Sequence, residues 1–434
     1  MIHFVSSGYG GPSISCGNKD AMKTRINDYL KAYEQLGYFS GSVLVAYDGE
    51  VLLNEGYGMA NREHEVKNTS DTIFRLGSVS KPITATAIML LHEKGFLDVD
   101  QTIDWYLTDI PSGNRITIHH LLTHTSGLNH SSDGSLLFEP GSKFAYVNTG
   151  YILLSRIIEM VSGYTFGQYL KETIFEPSGM QNSGYAGEEE IHKGQADGYS
   201  AYEDRVIDGK FVDMSTLAGA AGLFSTTSDL FRFDQALQTG QLLSRHTLER
   251  IFTPFRENYG YGWYIDEQVF SGITRKRISH GGLNDSGFFT RMTRFKDDQL
   301  LVITLSNFLL SPLEKMNRDL AALIFGETIN DPEKADPNVG EPAPHTDYER
   351  LAGQYEAFMP IPVTVEQSRL FISIFGFKLE LFLQNETETQ IDCYSKAAYV
   401  HVTFHKNNSG IVTGATIQWL GEDGYYAKRS GANE

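Results

Sequence analysis

Cysteine is nearly absent. The 434 residues hold two, Cys16 and Cys393, near opposite ends of the chain. Thiols so placed do not make a disulfide framework, and both are expected to stay free. Long apolar runs are missing too: no stretch reaches the ~18 consecutive apolar residues of a membrane span. Basic clusters are lacking, and 36 Lys and Arg against 54 Asp and Glu leave a formal net charge of −18. Phosphate backbones and anionic membranes are gripped by clustered Lys and Arg, so neither nucleic acid nor a membrane surface is expected as a partner. The catalytic signatures G-x-S-x-G and H-E-x-x-H occur nowhere. The first residues also lack the basic n-region and apolar core of a signal peptide. Residues 1–19 therefore read as a flexible leader. This is the pattern of a cytoplasmic chain, or of an envelope or secreted one whose leader has been removed.

What is present is a globular balance, 41% hydrophobic and 21% charged, in a chain long enough for one large domain and a smaller one. Met22, Ile26, Tyr29, Leu30, Tyr33 and Leu36 keep a helical period that stops at Gly37. Two apolar runs joined through Asp48-Gly49 predict a hairpin. Further helices are expected from Ser78 to Lys94, Tyr151 to Val161, Ser228 to about Gly240, and Pro312 to Phe325. Strands are expected at Tyr261–Ile265, Arg277–His280, Phe288–Phe295 and Leu300–Asn307. Residues 327–348 carry four prolines among acidic and polar residues and read as a linker. From residue 349 the apolar period becomes two, as in Leu370/Ile372/Ile374 and Val400/Val402/Phe404. That predicts a small antiparallel barrel or sandwich at 349–434, after a catalytic domain at 20–326.

The chemistry centres on Ser78-Val-Ser-Lys81-Pro82. Residues at i and i+3 share a helix face, so the Ser78 hydroxyl and Lys81 amine come within reach of each other. Pro82 has no N–H to give, which places Ser78 at a helix entrance, where backbone donors favour developing negative charge. Nucleophile, base and anion-stabilising backbone are the parts of acyl transfer. Alone, the pattern is weak and reads first as a capping serine with a solvated lysine. His119, His120 and His124 invite a zinc reading, but no third ligand suggests itself and no metal is assigned. Ser126 lacks a nucleophile elbow. Two later pieces matter more: Tyr146-x-Asn148 and His280-Gly281-Gly282. Taken singly, the first is turn and core, and the second a strand end and bend.

Together and in this order, the three pieces resemble the serine β-lactamase/penicillin-binding-protein superfamily. The likeness is to its class C β-lactamase-like hydrolases, which include D,D-carboxypeptidases, D-aminopeptidases and esterases. It covers about residues 20–326 and extends to Leu121–Leu128, Glu139–Gly141 and Gly222–Thr226. The tail resembles a lipocalin-like barrel. The resemblance implies an α+β fold, an antiparallel sheet flanked by helices beside an all-helical lobe, with the site between them. It implies that Ser78 is acylated, Lys81 helps to activate it, and Tyr146 carries protons to and from the leaving group. Asn148, His280 and Gly282 would bind substrate, and the backbone N–H groups of Ser78 and Leu283 would form the oxyanion hole. No cofactor is implied. The substrate would be a small molecule or peptide, with the oligomeric state left open.

One departure stands out. His280 occupies a place where many β-lactamases carry a lysine that meets the substrate carboxylate. Imidazole titrates near ~6.5, so its charge is mostly lost at neutral pH. The expectation is an imidazolium that favours anionic substrates at low pH. Esters, D-amino-acid amides and β-lactams are all candidate substrates. A strict cell-wall D,D-peptidase and a penicillin-binding sensor that never turns over are the competing readings.

Overall fold

The computed structural model describes residues 16–130, 135–187, 192–203, 205–332, 347–357, 360–374, 377–419 and 424–431. Six antiparallel strands form its main sheet: β1 (Gly41–Tyr47), β2 (Glu50–Tyr57), β3 (Tyr264–Phe270), β4 (Ile273–Asn284), β5 (Phe288–Phe295) and β6 (Leu300–Ser306). Their spatial order is β3-β4-β5-β6-β1-β2, so the first strand pairs with the last. Asp48 and Gly49 take φ of 51° and 77°, the primed turn that an Asp-Gly hairpin needs.

Strands β1 and β6 are buried along their whole length because both faces of the sheet are covered. Side chains alternate across a strand. Leu44, Ala46, Ile303 and Leu305 thus join one core, with the helices α2 (Ser80–Glu93) and α3 (Asn148–Ser162). Val43, Val45 and Val302 join the other, with α1 (Cys16–Gln35) and α4 (Leu313–Ile324). The helical lobe built on α2 and α3 packs beside the sheet, and the turn that carries Ser78 lies against β4.

Several elements differ in extent from the sequence reading; α3, for one, starts at Asn148 rather than Tyr151. Gly262 adopts φ 78°, which bends the chain, so β3 starts at Tyr264 and runs on to Phe270. Strand β4 continues through Gly281 and Gly282 to Asn284, with Gly282 opposite Thr290. Helix α1 begins at Cys16, inside the stretch expected to be leader, and residues 1–15 lie outside the described residues.

Towards the C-terminal end, eight strands from Gly353–Glu356 to Tyr425–Arg429 close into an antiparallel barrel, which decides barrel over sandwich. Alternate residues such as Leu370, Ile372, Val400, Val402 and Phe404 are fully buried, and Cys393 is a buried free thiol. The barrel is not a loose appendage. Tyr399 sets its ring edge-on to Tyr38 at 5.7 Å and tilted against Tyr33 at 6.4 Å, so one apolar core runs from α1 into the barrel. A hairpin, Tyr199–Tyr202 with Arg205–Asp208, makes the second contact. The Glu203 N–H donates to the Lys378 carbonyl at 2.8 Å, and its carboxylate lies 3.4 Å from Arg369. At the hairpin's base Lys210 N–H donates to the Asp285 carbonyl, just past the end of β4. Among the described residues no helix is long and apolar enough to cross a membrane.

Candidate active site

The turn ahead of α2 is a single 3-10 turn, Gly77–Val79, held by its neighbours on three sides. Leu76 N–H donates to the Leu223 carbonyl at 2.8 Å, Thr290 Oγ1 donates to the Leu76 carbonyl at 2.6 Å, and Leu223 N–H donates to Ser80 Oγ at 3.1 Å. Ser78 is therefore presented from a fixed backbone at the mouth of the helix. Lys81 follows one turn later and is fully buried. Its Nζ lies 2.9 Å from each of three oxygens: Ser78 Oγ, Asn148 Oδ1 and the Ala220 carbonyl. Rings complete the enclosure, with Nζ 4.8 Å from the centre of Tyr146 and 5.5 Å from that of Tyr151. All three oxygen partners are neutral, and burial holds the Lys81 amine well below the usual lysine range.

Ser78, Tyr146 and Asn148 are partly exposed, whereas the amine they surround is buried. Burial pushes the Tyr146 phenol up, and a hydrogen bond with Ser78 opposes this. The structure thus brings Ser78, Lys81, Tyr146 and Asn148 together from two helix starts separated by 67 residues.

Strand β4 closes the opposite side at very short range. An ideal Cβ built on Gly282 would stand 2.1 Å from the Leu76 carbonyl oxygen and 2.8 Å from the Ser78 nitrogen. One built on Gly77, whose φ is 53°, would stand 3.2 Å from the Leu283 nitrogen. The two backbone amides named for the oxyanion hole consequently flank one contact that only glycines permit. Gly282→Ala is expected to push β4 off the Ser78 turn and to lower kcat/KM by on the order of 10²-fold, the loss attached to an ångström-scale misplacement. A wild-type kcat/KM in the alanine variant would show that the strand has room to spare.

His280 is where the structure departs most from the sequence reading. The side chain is 2% exposed. Nδ1 lies 2.7 Å from the Gly281 carbonyl and Nε2 lies 3.0 Å from the Tyr259 hydroxyl. A neutral ring satisfies both, with Nδ1–H donating to the carbonyl and Nε2 accepting from the phenol. Burial, assisted by Lys81, pushes its pKa down to about 3. The expected imidazolium is therefore replaced by a neutral spacer. The ratio of kcat/KM for an anionic to an uncharged substrate should stay flat between about pH 5 and pH 8, the window in which an ordinary imidazole titrates. A ratio that falls across this window would restore the charge-reading role.

Three participants had no mark in the sequence reading of the site. The Ala220 carbonyl comes from the Ala218–Gly222 stretch, whose small residues were the only hint. Tyr259 belongs to no motif. His124 was weighed as a metal ligand, but its Nδ1 accepts from Val147 N–H at 3.2 Å. His119 pairs with Tyr261 at 2.8 Å, and His120 closes a capping box with Thr117. Among the described residues no group of three or more His, Cys, Asp or Glu side chains is placed to hold a metal ion.

Penicillin-binding protein 4* of Bacillus subtilis is 32% identical over 422 residues, covering 84% of this chain and 92% of that protein. The teichoic acid D-alanine hydrolase of Staphylococcus aureus is 25% identical over 306 residues, covering 67% and 75% respectively. Among solved structures, the octameric penicillin-binding protein homologue from Pyrococcus abyssi superimposes with a TM-score of 0.63 at 24% identity, covering 93% of this chain and 99% of that one, a likeness of fold. The Beta-lactamase family model matches residues 26–325, the sheet and helical lobe that carry these residues, and the chain belongs to the beta-lactamase family of serine hydrolases.

Proposed function

We propose that this chain hydrolyses esters and amides that present no carboxylate, with small acyl groups and D-alanyl esters among them, through an acyl-enzyme on Ser78. One observation carries the reading: a fully buried Lys81, surrounded by neutral partners, with Nζ 2.9 Å from Ser78 Oγ. Asn148 Oδ1 and the Ala220 carbonyl accept the two N–H groups of a neutral amine, which leaves its lone pair for the serine proton. As Ser78 Oγ attacks, the backbone N–H groups of Ser78 and Leu283 receive the oxyanion. Tyr146, kept protonated by burial, gives its proton to the leaving group and recovers one from Lys81. The same pair then deprotonates the water that releases the acyl group. Substrates without a carboxylate are favoured because His280 offers no charge to pair with one.

Tyr146→Phe removes one hydroxyl and should lower kcat for such esters by ~10²–10⁴, the contribution of a general acid–base group. A variant within about twofold of wild type would make Tyr146 structural, since that is far below a general acid–base contribution. A second reading follows from the relative named for penicillin binding: the same serine captures a penicillin and holds it. Intact-protein mass spectrometry after exposure to benzylpenicillin and to p-nitrophenyl butyrate separates the two, because a lasting penicilloyl adduct without ester turnover would favour capture.

A further inference from the structure

We infer that His124 is a positioning residue that mounts Tyr146 for proton transfer. The inference rests on the reading of Tyr146 as the leaving group's proton donor. Tyr146 follows Phe144-Ala145 and precedes α3, so nothing in regular structure fixes its ring. His124 does so at three points. Its backbone carbonyl accepts from Ala145 N–H at 2.9 Å, and its Nδ1 accepts from Val147 N–H at 3.2 Å, the residues on either side of Tyr146. Its ring lies against the phenol ring with centroids 4.2 Å apart and planes 36° apart. Tyr259 and Tyr151 press on the imidazole from elsewhere, at 4.8 and 5.2 Å.

Two features show that packing alone does not explain an imidazole here. With Nδ1 accepting, the proton of a neutral ring sits on Nε2, and that buried N–H has no hydrogen-bond partner among the described residues. The backbone of His124 is also left-handed, with φ 55°. Both features cost stability, and both belong to a residue whose contacts converge on Tyr146. An aromatic hydrocarbon ring would fill the space without an orphaned donor, but would leave Val147 N–H unheld.

The test exploits leaving groups. p-Nitrophenolate departs without a proton, whereas an alkoxide needs one, so kcat/KM for ethyl butyrate against p-nitrophenyl butyrate reads proton donation with the acyl group held constant. His124→Phe keeps the ring and loses the acceptor; His124→Asn keeps an acceptor and loses the ring. The phenylalanine variant is expected to lose on the order of 10²-fold on ethyl butyrate, as for an ångström-scale misplacement, with little change on p-nitrophenyl butyrate. The asparagine variant should fall between it and wild type. On a Tyr146→Phe background neither substitution should change the ratio further. If Tyr146→Phe itself leaves the ratio unchanged, the donor reading falls and takes this inference with it. If Tyr146→Phe shifts the ratio but the folded His124 variants do not, or if neither His124 variant folds, His124 is a structural residue and the inference alone is overturned.

Discussion

Ser78→Ala is expected to abolish covalent labelling by serine-reactive fluorophosphonates and to cut ester turnover by on the order of 10⁵–10⁶, the range seen when a catalytic serine is removed. No neighbour can substitute. Ser80 is fully buried, with its hydroxyl oxygen accepting from Leu223 N–H. Ser126 is also buried, and its Oγ accepts from Leu128 N–H. The alanine would leave the turn intact, since the contacts that hold it are made by Leu76, Ser80 and Thr290. Intact mass after labelling is the direct measurement. Adduct formation at the wild-type rate would move the nucleophile to another serine.

The second large effect concerns Lys81. Lys81→Met fills most of the same volume without a base and should lower kcat/KM for p-nitrophenyl butyrate by ~10³–10⁴, within the range for general-base loss. In the wild type the acid limb of kcat/KM belongs to this amine: below its folded-state pKa it is protonated and has no lone pair to offer. The sign for stability runs the same way. Because the folded-state value lies well below 10.5, the unfolded chain holds more protons at any pH between the two values. The native state is therefore destabilised by this group as pH falls from the ordinary lysine value toward the folded one. The methionine variant escapes that penalty, so it should be nearly inactive yet melt no lower than wild type at pH 7. A lower melting temperature together with retained activity would contradict both halves of the argument.

How much of this was legible depended on where each interaction is written. Ser78 and Lys81 lie three residues apart on a helix start, so their approach is local and the pattern shows it. Strand Phe288–Phe295 matched residue for residue, because its turn and apolar signals are also local. That His280 stays neutral well below the ordinary imidazole range was not legible. It depends on Tyr259, 21 residues away in no recognisable motif, and on burial that a list of residues does not display. The Ala220 carbonyl could not be read either, since every residue has one and only the fold selects it. Strand β3 was displaced by Gly262, whose left-handed backbone breaks a run that composition alone would continue.

The pairing of β1 with β6 also sets a timetable. Tyr47 must wait for Leu300, and Gly41 for Ser306. At about 5–20 residues per second on the ribosome, that partner emerges on the order of ten seconds to a minute later. During that interval the β1–β2 hairpin has a largely apolar strand with one edge unpaired, the kind of segment that recruits foreign strands. The helical lobe, whose contacts are nearer in sequence, can assemble first and shelter one face of the hairpin. The nascent chain thus keeps an open edge until late in its synthesis, and β6 ends that exposure by occupying it.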